Sequence, residues 1–494
     1  MQFDAKMTLQ VMTMISKKKI VIIFPNIALG SSTVIRAMYK FFTPSHFMHI
    51  GIAYIAAVLE REGYDVKIID ATVERLSHDA LERIIKAFAP DVVGITSNVA
   101  NASVAVETSI ICRKAIPSAR IILGGPWATI NWKYLAKNGY ADVVVIGEGE
   151  ETIAELMKAL DGGGDARYQQ IKGIAFKAQD GTLKKNTLRP FNEALDSLPF
   201  PAWHLFPDPR KYNFPFRRTV AFPIITSRGC PFNCNFCSKF VHGFKIRYRS
   251  VESVIKEIRF LKEKFHADEL YIIDDNFTMD VNRASKILDR IIEEKFHMDI
   301  TLSNGVRADT LTPELLIKMR RAGVVDFAVG LESGNQQVLN KIGKSLSLKK
   351  VRAIVPTIHE LGFTFKTFFM IGHPYDTAST MMDTIMLAIE LNPDVALFSK
   401  TTPWPGTRLY ELVKNEGHFI RKKNQIRSFN VYESQFKIFK LTPRLVNKYF
   451  MLAYLSFYLR LTKIRSLIKK ITTWPQLKWY ISNSILFLLR FFFK

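Results

Sequence analysis

Residues 228–237 read RGCPFNCNFC and place three of the chain's four cysteines within eight positions. These are Cys230, Cys234 and Cys237, spaced C-x3-C-x2-C, and they directly follow an apolar stretch that predicts a buried strand. Thiolates hold iron–sulfur clusters, and three of them leave one iron of a 4Fe–4S cubane free to bind a small molecule. A structural zinc site needs four ligands, and the nearest further candidate is His242. The motif therefore predicts a 4Fe–4S cluster.

Strand and helix patterns alternate from residue 220 to residue 420, around this motif. Six βα units predict a partial (β/α)6 barrel, with its chemistry at the carboxyl ends of the strands. The predicted strands are Phe222–Ser227, Glu269–Ile273, Asp299–Ser303, Asp326–Gly330, Thr364–Ile371 and Val395–Lys400.

A second α/β region precedes the barrel, and its five apolar runs predict a doubly wound, Rossmann-like parallel sheet. The predicted strands are Lys19–Phe24, Asp65–Asp70, Asp91–Thr96, Arg120–Gly124 and Asp142–Ile146. Ligands bind such sheets at the carboxyl strand ends. The small and polar candidates there are Ser97, Asn98, Gly124, Gly125, Pro126, Gly147, Glu148 and Gly149. A G-x-G-x-x-G turn is absent, which excludes a nicotinamide fingerprint and leaves a nucleotide, a flavin or a corrin ring.

Composition and the glycine- and proline-rich stretches divide the chain into four predicted parts. These are the Rossmann-like domain at 1–165, a hairpin and Pro-rich linker at 166–219, the barrel at 220–420 and a helical region at 421–494. The hairpin turn is predicted at Asp180-Gly181. With four cysteines in 494 residues, a disulfide framework is not expected, and a reducing cytoplasm is the natural compartment.

The region 421–494 is strongly basic, with 16 Lys and Arg residues against the single acidic Glu433, in a chain of net charge +24. Predicted helices Leu445–Leu461 and Trp479–Phe493 combine this charge with apolar faces. Nucleic acid, an anionic membrane surface or a helical cap over the barrel mouth could each explain it. Ile481–Phe493 is too apolar to track phosphates and too short to span a bilayer. We expect a cap with peripheral contact to the inner face of the membrane, and no nucleic acid.

Over residues 220–420 the motif and strand order resemble the radical S-adenosylmethionine (SAM) superfamily. The resemblance implies that the cluster reduces SAM to methionine and a 5′-deoxyadenosyl radical that abstracts hydrogen. It also implies a one-electron reductant of the flavodoxin or ferredoxin type. Phe236, between the second and third cysteines, matches the family's aromatic residue near the adenine.

The same resemblance implies further SAM contacts. Asp275 and Asn276, in the sequence Asp274-Asp275-Asn276, match acceptors for the methionine amino group, although this departs from the commoner glycine-rich form, and a helix N-cap is an equal alternative. Arg307 would pair the methionine carboxylate, Glu332 the ribose, and the Gly372 backbone would lie beside the adenine. His373 is either a catalytic base or, as we favour, a loop histidine in a satisfied hydrogen bond.

The order of the two α/β regions, with GGPWAT at 124–129 and GEGEET at 147–152, resembles the cobalamin-binding radical SAM enzymes over residues 19–420. So does His49–Ala57 followed by Asp70. A D-x-H-x-x-G motif is missing, so the cobalt would lack a histidine ligand. The resemblance implies bound cobalamin and, as the favoured activity, methylation of an unactivated carbon of a small hydrophobic substrate such as a lipid, isoprenoid or tetrapyrrole. The alternatives are a radical oxidative cyclase and, in another class, a non-enzymatic membrane- or RNA-binding adaptor with a structural cluster.

Overall fold

The computed structural model describes residues 18–30, 47–162, 165–212, 220–420, 434–470 and 477. These fall into two compact units. The first comprises the described residues of 18–30, 50–190 and 198–207, and the second those of 47–49, 191–197 and 208–477.

The first unit is built on one sheet with the strand order β2-β1-β3-β4-β5-β6-β7. Strands β1 to β5 are parallel, and β6 and β7 form an antiparallel hairpin that extends the sheet. The strands are Lys19–Phe24 (β1), Asp65–Asp70 (β2), Val92–Thr96 (β3), Arg120–Gly124 (β4), Val143–Val145 (β5), Ile174–Lys177 (β6) and Leu183–Lys185 (β7). The helices are Ile50–Arg61 (α1), His78–Phe88 (α2), Ala102–Ala115 (α3), Pro126–Lys137 (α4) and Glu150–Asp161 (α5).

The second unit contains a six-stranded parallel sheet in which the strands follow chain order, β8-β11-β12-β13-β14-β15. Two short antiparallel pairs, β9 with β10 and β16 with β17, lie outside it. The strands are Ala221–Ile224 (β8), Ser227–Arg228 (β9), Arg247–Tyr248 (β10), Glu269–Ile272 (β11), Asp299–Val306 (β12), Val324–Glu332 (β13), Thr364–Ile371 (β14), Val395–Lys400 (β15), Gly417–Phe419 (β16) and Phe436–Ile438 (β17).

Helices follow the strands of this sheet, and hydroxyl side chains cap many of their first turns. Ser250, Thr312 and Thr377 each accept a hydrogen bond from a backbone N–H of the helix that they precede. The helices are Val251–Phe265 (α6), Val281–Glu293 (α7), Pro313–Arg321 (α8), Gln336–Lys341 (α9), Leu348–Glu360 (α10), Ala378–Leu391 (α11), Arg408–Glu416 (α12), Pro443–Tyr458 (α13) and Leu461–Lys470 (α14).

The predicted fold class, a Rossmann-like sheet followed by a partial (β/α)6 barrel and helices, is confirmed. The bounds of β1, β2, β4, β14 and β15 equal the predicted ones. In β1 and β4 the reason is an apolar run that is buried on both faces, as in many parallel strands. The predicted four-part domain boundaries stay predictions.

The C-terminal helix α13 packs against the edge strand β15. The Tyr454 hydroxyl donates to the Phe398 carbonyl at 2.9 Å, and the Tyr458 hydroxyl donates to the Ala396 carbonyl at 3.0 Å. The predicted helix Trp479–Phe493 lies outside the described residues. Across the described ranges, we find no helix with both the length and the apolar content that crossing a bilayer requires.

Candidate cluster and cofactor sites

The cysteine loop begins where β8 ends, and the carboxyl end of the neighbouring strand β11 holds its first residues. The buried Asp274 carboxylate accepts hydrogen bonds from Thr226 N at 2.6 Å and from Ser227 Oγ at 2.6 Å. Asp275 Oδ2 accepts from Gly229 N at 3.0 Å. Two carboxylates on one strand end therefore set the path of the chain into the loop.

Gly229 allows the loop to leave the sheet. Its φ is +90°, and a Cβ atom there would lie 2.3 Å from the Lys245 carbonyl oxygen. Any side chain would combine an unfavourable backbone conformation with a direct overlap, so the position requires glycine. The pair of β9 with β10 closes the base of the same loop, because Arg228 and Arg247 are register partners.

Cys234 is half-buried and Cys237 is exposed. Partial desolvation in the loop nevertheless raises the pKa of both thiols, to about 11 at Cys237. Iron binding has to displace these protons, so cluster assembly is coupled to deprotonation. Among the described residues, no group of three or more His, Cys, Asp and Glu side chains suits a single metal ion. A cubane is a different case, because each thiolate binds a different iron.

Two lysines that the sequence analysis missed lie beside the thiols, and no motif spacing points to either. Lys239 is the strongest influence opposing the effect of burial at Cys237, and Lys344 has the same role at Cys234. Lys344 Nζ forms an ion pair with Glu332 Oε1 at 2.9 Å. A cation close to a thiol favours the thiolate that iron requires.

Glu332, predicted to contact the ribose, ends β13 with a φ of +67°. Few residues other than glycine adopt this conformation, and such strain is concentrated at functional sites. This backbone conformation places the Glu332 carboxylate against Lys344, whose ammonium interacts electrostatically with Cys234 of the cysteine loop. The structure therefore brings Glu332 to the cluster loop, and its contact with the ribose stays a prediction.

Arg307, predicted to pair the methionine carboxylate, already forms an ion pair and hydrogen bonds within the protein. Its Nε and Nη2 atoms donate to the two carboxylate oxygens of Asp309 at 2.9 and 2.7 Å. Further bonds go to the carbonyls of Lys344 and Ser345, and the guanidinium lies 3.7 Å from the Phe232 ring centroid. Arg307 thus lies at the loop, and a bound carboxylate would have to share it with Asp309.

The residues after β11 differ in what they hold. Asp275 binds the start of the loop, whereas Asn276 Oδ1 accepts a bond from Thr278 Oγ1 at 3.3 Å. The alternative N-cap interpretation of this segment is wrong, because Asp280 caps α7. A contact of Asp275 and Asn276 with the methionine amino group stays a prediction.

Phe236 and the segment after β14 form a second side of the loop. The rings of Phe236 and His373 are 5.7 Å apart. His373 is fully buried, and neither ring nitrogen has a hydrogen-bond partner among the described residues. The interpretation of His373 as a satisfied loop histidine is therefore wrong. Burial lowers its pKa to about 3, so the ring stays neutral at physiological pH.

Asp376 ties this segment together and gives it a pH dependence. Its Oδ2 atom accepts from the backbone N–H groups of Gly372 and His373 at 3.0 and 2.8 Å, and Oδ1 accepts from Thr380 Oγ1 at 2.8 Å. Burial nevertheless raises the pKa of Asp376 to about 6, above the value of about 3.9 in unfolded chains. The stability that the bound proton contributes is therefore complete below pH ~4 and is lost as the pH rises through 6.

Asp376→Asn keeps an acceptor for the two N–H groups and removes this titration. Between pH 5 and pH 8 we expect the wild type to lose about 1–2 kcal/mol of stability relative to the variant. Thermal denaturation of both apoproteins at several pH values measures this difference. A difference that is constant over this range would contradict the prediction.

The predicted cofactor-binding edge of the first unit lies on three adjacent strands. Ser97, after β3, donates from N to the Gly124 carbonyl at 2.8 Å, and its Oγ accepts from Ala128 N at 3.1 Å. Asn98 Oδ1 accepts from the backbone N–H groups of Ala100 and Asn101. Gly147 N, after β5, donates to Thr129 Oγ1 at 3.1 Å. The structure thus brings the residues after β3, β4 and β5 together at one edge.

Gly125, which precedes α4, shows why this edge is rich in small residues. Its φ is +97°, and a Cβ atom would lie 2.5 Å from the Ser97 carbonyl oxygen. Pro126 follows at the first turn of α4, while Glu148 and Gly149 follow Gly147 and lead into α5. Backbone therefore lies close to the edge where a large planar ligand would rest.

These observations define a class of protein: an α/β protein with a three-cysteine cluster loop on a parallel barrel and a separate Rossmann-like sheet. Comparison with known proteins makes this specific. A family profile for the radical SAM superfamily matches residues 224–388, and one for the B12 binding domain matches residues 44–157. An uncharacterized methyltransferase of Pyrococcus horikoshii is 33% identical over 415 residues, covering 83% of this chain and 88% of that protein.

Two further similarities extend the comparison. The anaerobic magnesium-protoporphyrin IX monomethyl ester cyclase of Rubrivivax gelatinosus is 29% identical, covering 73% of this chain and 65% of the cyclase. The structure of the radical SAM methyltransferase TsrM of Kitasatospora setae matches with a TM-score of 0.65 at 17% identity, covering 83% of this chain and 79% of TsrM. The chain belongs to the cobalamin-dependent radical SAM enzymes, a family of methyltransferases that also includes the cyclase.

A 4Fe–4S cluster, SAM and cobalamin are thus the cofactors of this enzyme. The residues present suit them: three thiols with adjacent cations for the cluster, and an edge of close-lying backbone for the corrin. When bound, the cluster supplies the electron that cleaves SAM, and the corrin carries a methyl group. The roles of the individual site residues stay predictions. Membership of an enzyme family does not favour the alternative function, a non-enzymatic membrane- or RNA-binding adaptor.

Proposed function

We propose that this enzyme methylates an unactivated carbon of a hydrophobic substrate such as a lipid, an isoprenoid or a tetrapyrrole. The observation that carries the proposal is an apolar patch on the barrel sheet, formed by Phe368, Met370 and Leu397. Side chains of β14 alternate between buried and half-buried, and Phe368 and Met370 belong to the half-buried set. Leu397 is the register partner of Phe368 and is 41% exposed.

The patch lies on one face of the sheet, because side chains at alternate positions of a strand point to the same face. The opposite face holds Phe369 and Phe398, whose stacked rings are 5.4 Å apart, and Phe398 packs in turn on Tyr454 of α13. Polar groups border the patch, since Ser399 is the register partner of Met370, and Lys366, two residues before Phe368, pairs with Asp326. An apolar surface with a few polar groups beside it is typical of small-molecule sites. A position near the carboxyl ends of barrel strands is where such folds perform their chemistry.

The comparisons support both parts of the proposal. The Pyrococcus relative is a methyltransferase by name, and the Rubrivivax relative acts on a tetrapyrrole by name. The second of these also supports the runner-up, oxidative ring formation on the same scaffold. We propose a flavodoxin- or ferredoxin-type protein as the reductant.

Transfer of label from SAM tests the proposal. The reconstituted enzyme is incubated anaerobically with dithionite, SAM carrying an isotopic label in its methyl group, and a total lipid and pigment extract. We expect label in the chloroform phase, in a product heavier by one methylene unit, together with 5′-deoxyadenosine. Label confined to the aqueous phase would contradict a hydrophobic substrate, and 5′-deoxyadenosine without label transfer would favour the cyclase. Cys234→Ala serves as the inactive control.

We further propose that the C-terminal helices bind the inner face of an anionic membrane. Four apolar side chains around the α13–α14 junction are exposed: Leu455, Leu459, Leu461 and Ile464. The junction is held in place because Arg460 donates to the Ile389 carbonyl at 3.2 Å and Lys463 donates to the Pro393 carbonyl at 2.5 Å. The apolar side chains therefore stay outward, in a region whose basic residues would be attracted to anionic lipid.

Replacing Leu459 and Leu461 by glutamine is expected to weaken binding to anionic phospholipid vesicles by about tenfold or more, because about 1–2 kcal/mol of apolar transfer free energy is lost at each site. Cosedimentation at low and high salt measures the binding. Ile317→Gln is the matched control, since Ile317 on α8 is 48% exposed but lies in the barrel. The membrane proposal is refuted if the double variant binds anionic vesicles as tightly as Ile317→Gln does. It is also refuted if the wild type binds neutral and anionic vesicles equally.

A further inference from the structure

Lys239, two residues after the last cluster cysteine, has its side chain turned back onto the cysteine loop. Its Nζ atom donates hydrogen bonds to the carbonyl oxygens of Cys230 and Phe232. The ammonium also lies 4.7 Å from the centroid of the Phe244 ring, within the range of a cation–π contact. Two carbonyls and an aromatic ring thus surround a group with three N–H donors.

Backbone hydrogen bonds also link Lys239 to Cys230, through Gly243. Gly243 N donates to the Lys239 carbonyl at 3.0 Å, and Cys230 N donates to the Gly243 carbonyl at 3.4 Å. Within the loop, Cys237 N donates to the Cys234 carbonyl at 3.2 Å. The first and third cysteines are therefore connected through Lys239 by its main chain as well as by its side chain.

The charge of Lys239 is not neutralised by a carboxylate among the described residues, since its hydrogen bonds go to carbonyl groups. Lys344, the other cation beside the thiols, is paired with Glu332. Of the two lysines, Lys239 is therefore the one whose ammonium bonds the backbone of a cluster cysteine without a carboxylate partner among the described residues.

We propose that Lys239 is a positioning residue for the iron–sulfur cluster, whose ammonium holds the cysteine loop closed and whose charge raises the reduction potential of the bound cluster. Net charge and hydrogen bonding around the sulfurs set the potentials of such clusters. Reduction adds an electron, and a nearby cation stabilises the more negative state. The electron comes from the one-electron reductant that the family requires.

The test compares Lys239→Met, which removes charge and donors at similar length, with Lys239→Gln, which keeps donors, and Lys239→Arg, which keeps both. Each reconstituted protein is assayed for iron and sulfide per chain, and its midpoint potential is determined by a redox titration followed by electron paramagnetic resonance. In Lys239→Met and Lys239→Gln we expect the equilibrium to shift about tenfold toward the oxidised cluster, equal to 59 mV for one electron. Lys239→Arg is expected to resemble the wild type.

Lys245→Met is the matched control, because Lys245 lies in the same segment but is largely exposed and paired with Glu193 at 2.9 Å. Its potential should equal that of the wild type. If Lys239→Met and Lys239→Gln load no iron while Lys239→Arg does, the cation itself holds the loop, which supports the proposal. Normal loading with unchanged potentials in Lys239→Met and Lys239→Gln, or failure of Lys239→Arg to load, would overturn it. A wild type without a redox-active cluster would instead refute the family function on which this inference rests.

Discussion

Cys234→Ala is expected to lose the iron–sulfur cluster and all formation of 5′-deoxyadenosine, while it keeps the absorption spectrum of bound cobalamin. Three thiolates are the smallest set that holds a cubane and leaves one iron open for SAM, so removal of one ligand leaves an incomplete site. The predicted cobalamin-binding residues lie at or just after the ends of β3, β4 and β5 and share no element with the cysteine loop. Iron and sulfide analysis, visible spectroscopy and chromatographic assay of 5′-deoxyadenosine measure the three quantities.

The fourth cysteine provides the control for this experiment. Cys112 lies in α3, is fully buried, and has its pKa raised to about 12 by that burial, so it is an inert core thiol. Cys112→Ala should therefore keep its iron and its activity, at a modest cost in stability from the lost sulfur. Iron retained by Cys234→Ala, or lost by Cys112→Ala, would show that the cluster ligands are wrongly assigned.

Gly125→Ala is expected to have the reciprocal effect, with cobalamin binding lost and the cluster retained. At a φ of +97°, a Cβ atom 2.5 Å from the Ser97 carbonyl oxygen has to displace the segment that joins β3 to β4. The unfavourable backbone conformation alone costs about 1–2 kcal/mol, and the overlap adds to it. We therefore expect affinity for hydroxocobalamin to fall at least tenfold, as measured by equilibrium dialysis with absorbance detection.

Gly139→Ala separates the cost of the backbone conformation from the cost of the steric overlap. Gly139 also has a positive φ, +69°, but no atom of the described residues lies within 4 Å of the position that its Cβ would take. It follows α4 at the helix end opposite to Gly125. This control should therefore lose a little stability and no cobalamin affinity. Equal affinities of the two variants would show that the edge after β4 does not contact the corrin.

The sequence by itself determined the fold class of this protein and predicts the ligands of its cluster. Parallel strands are commonly buried on both faces, so β1 and β4 appear as apolar runs whose ends can be located within a residue or two. The cysteine spacing is local, and the chemistry of three thiolates follows from composition alone. The close-lying glycines after β4 and β5 could also be predicted, because a ligand edge needs small residues where backbone must approach closely.

Only the tertiary structure decided which charged groups surround the loop. Arg307 is bound by Asp309, Glu332 by Lys344, and the carbonyls of the cysteine loop by Lys239. Each depends on where a flexible side chain finds a partner once distant strands have come together, and such partners leave no periodic signal in a sequence. The two ring nitrogens of His373, which have no hydrogen-bond partner in the part of the chain that the structure describes, arise in the same way, because burial is a property of the assembled barrel. Covalent order therefore predicts the ligands of the cluster, whereas packing specifies the charges around the cysteine loop.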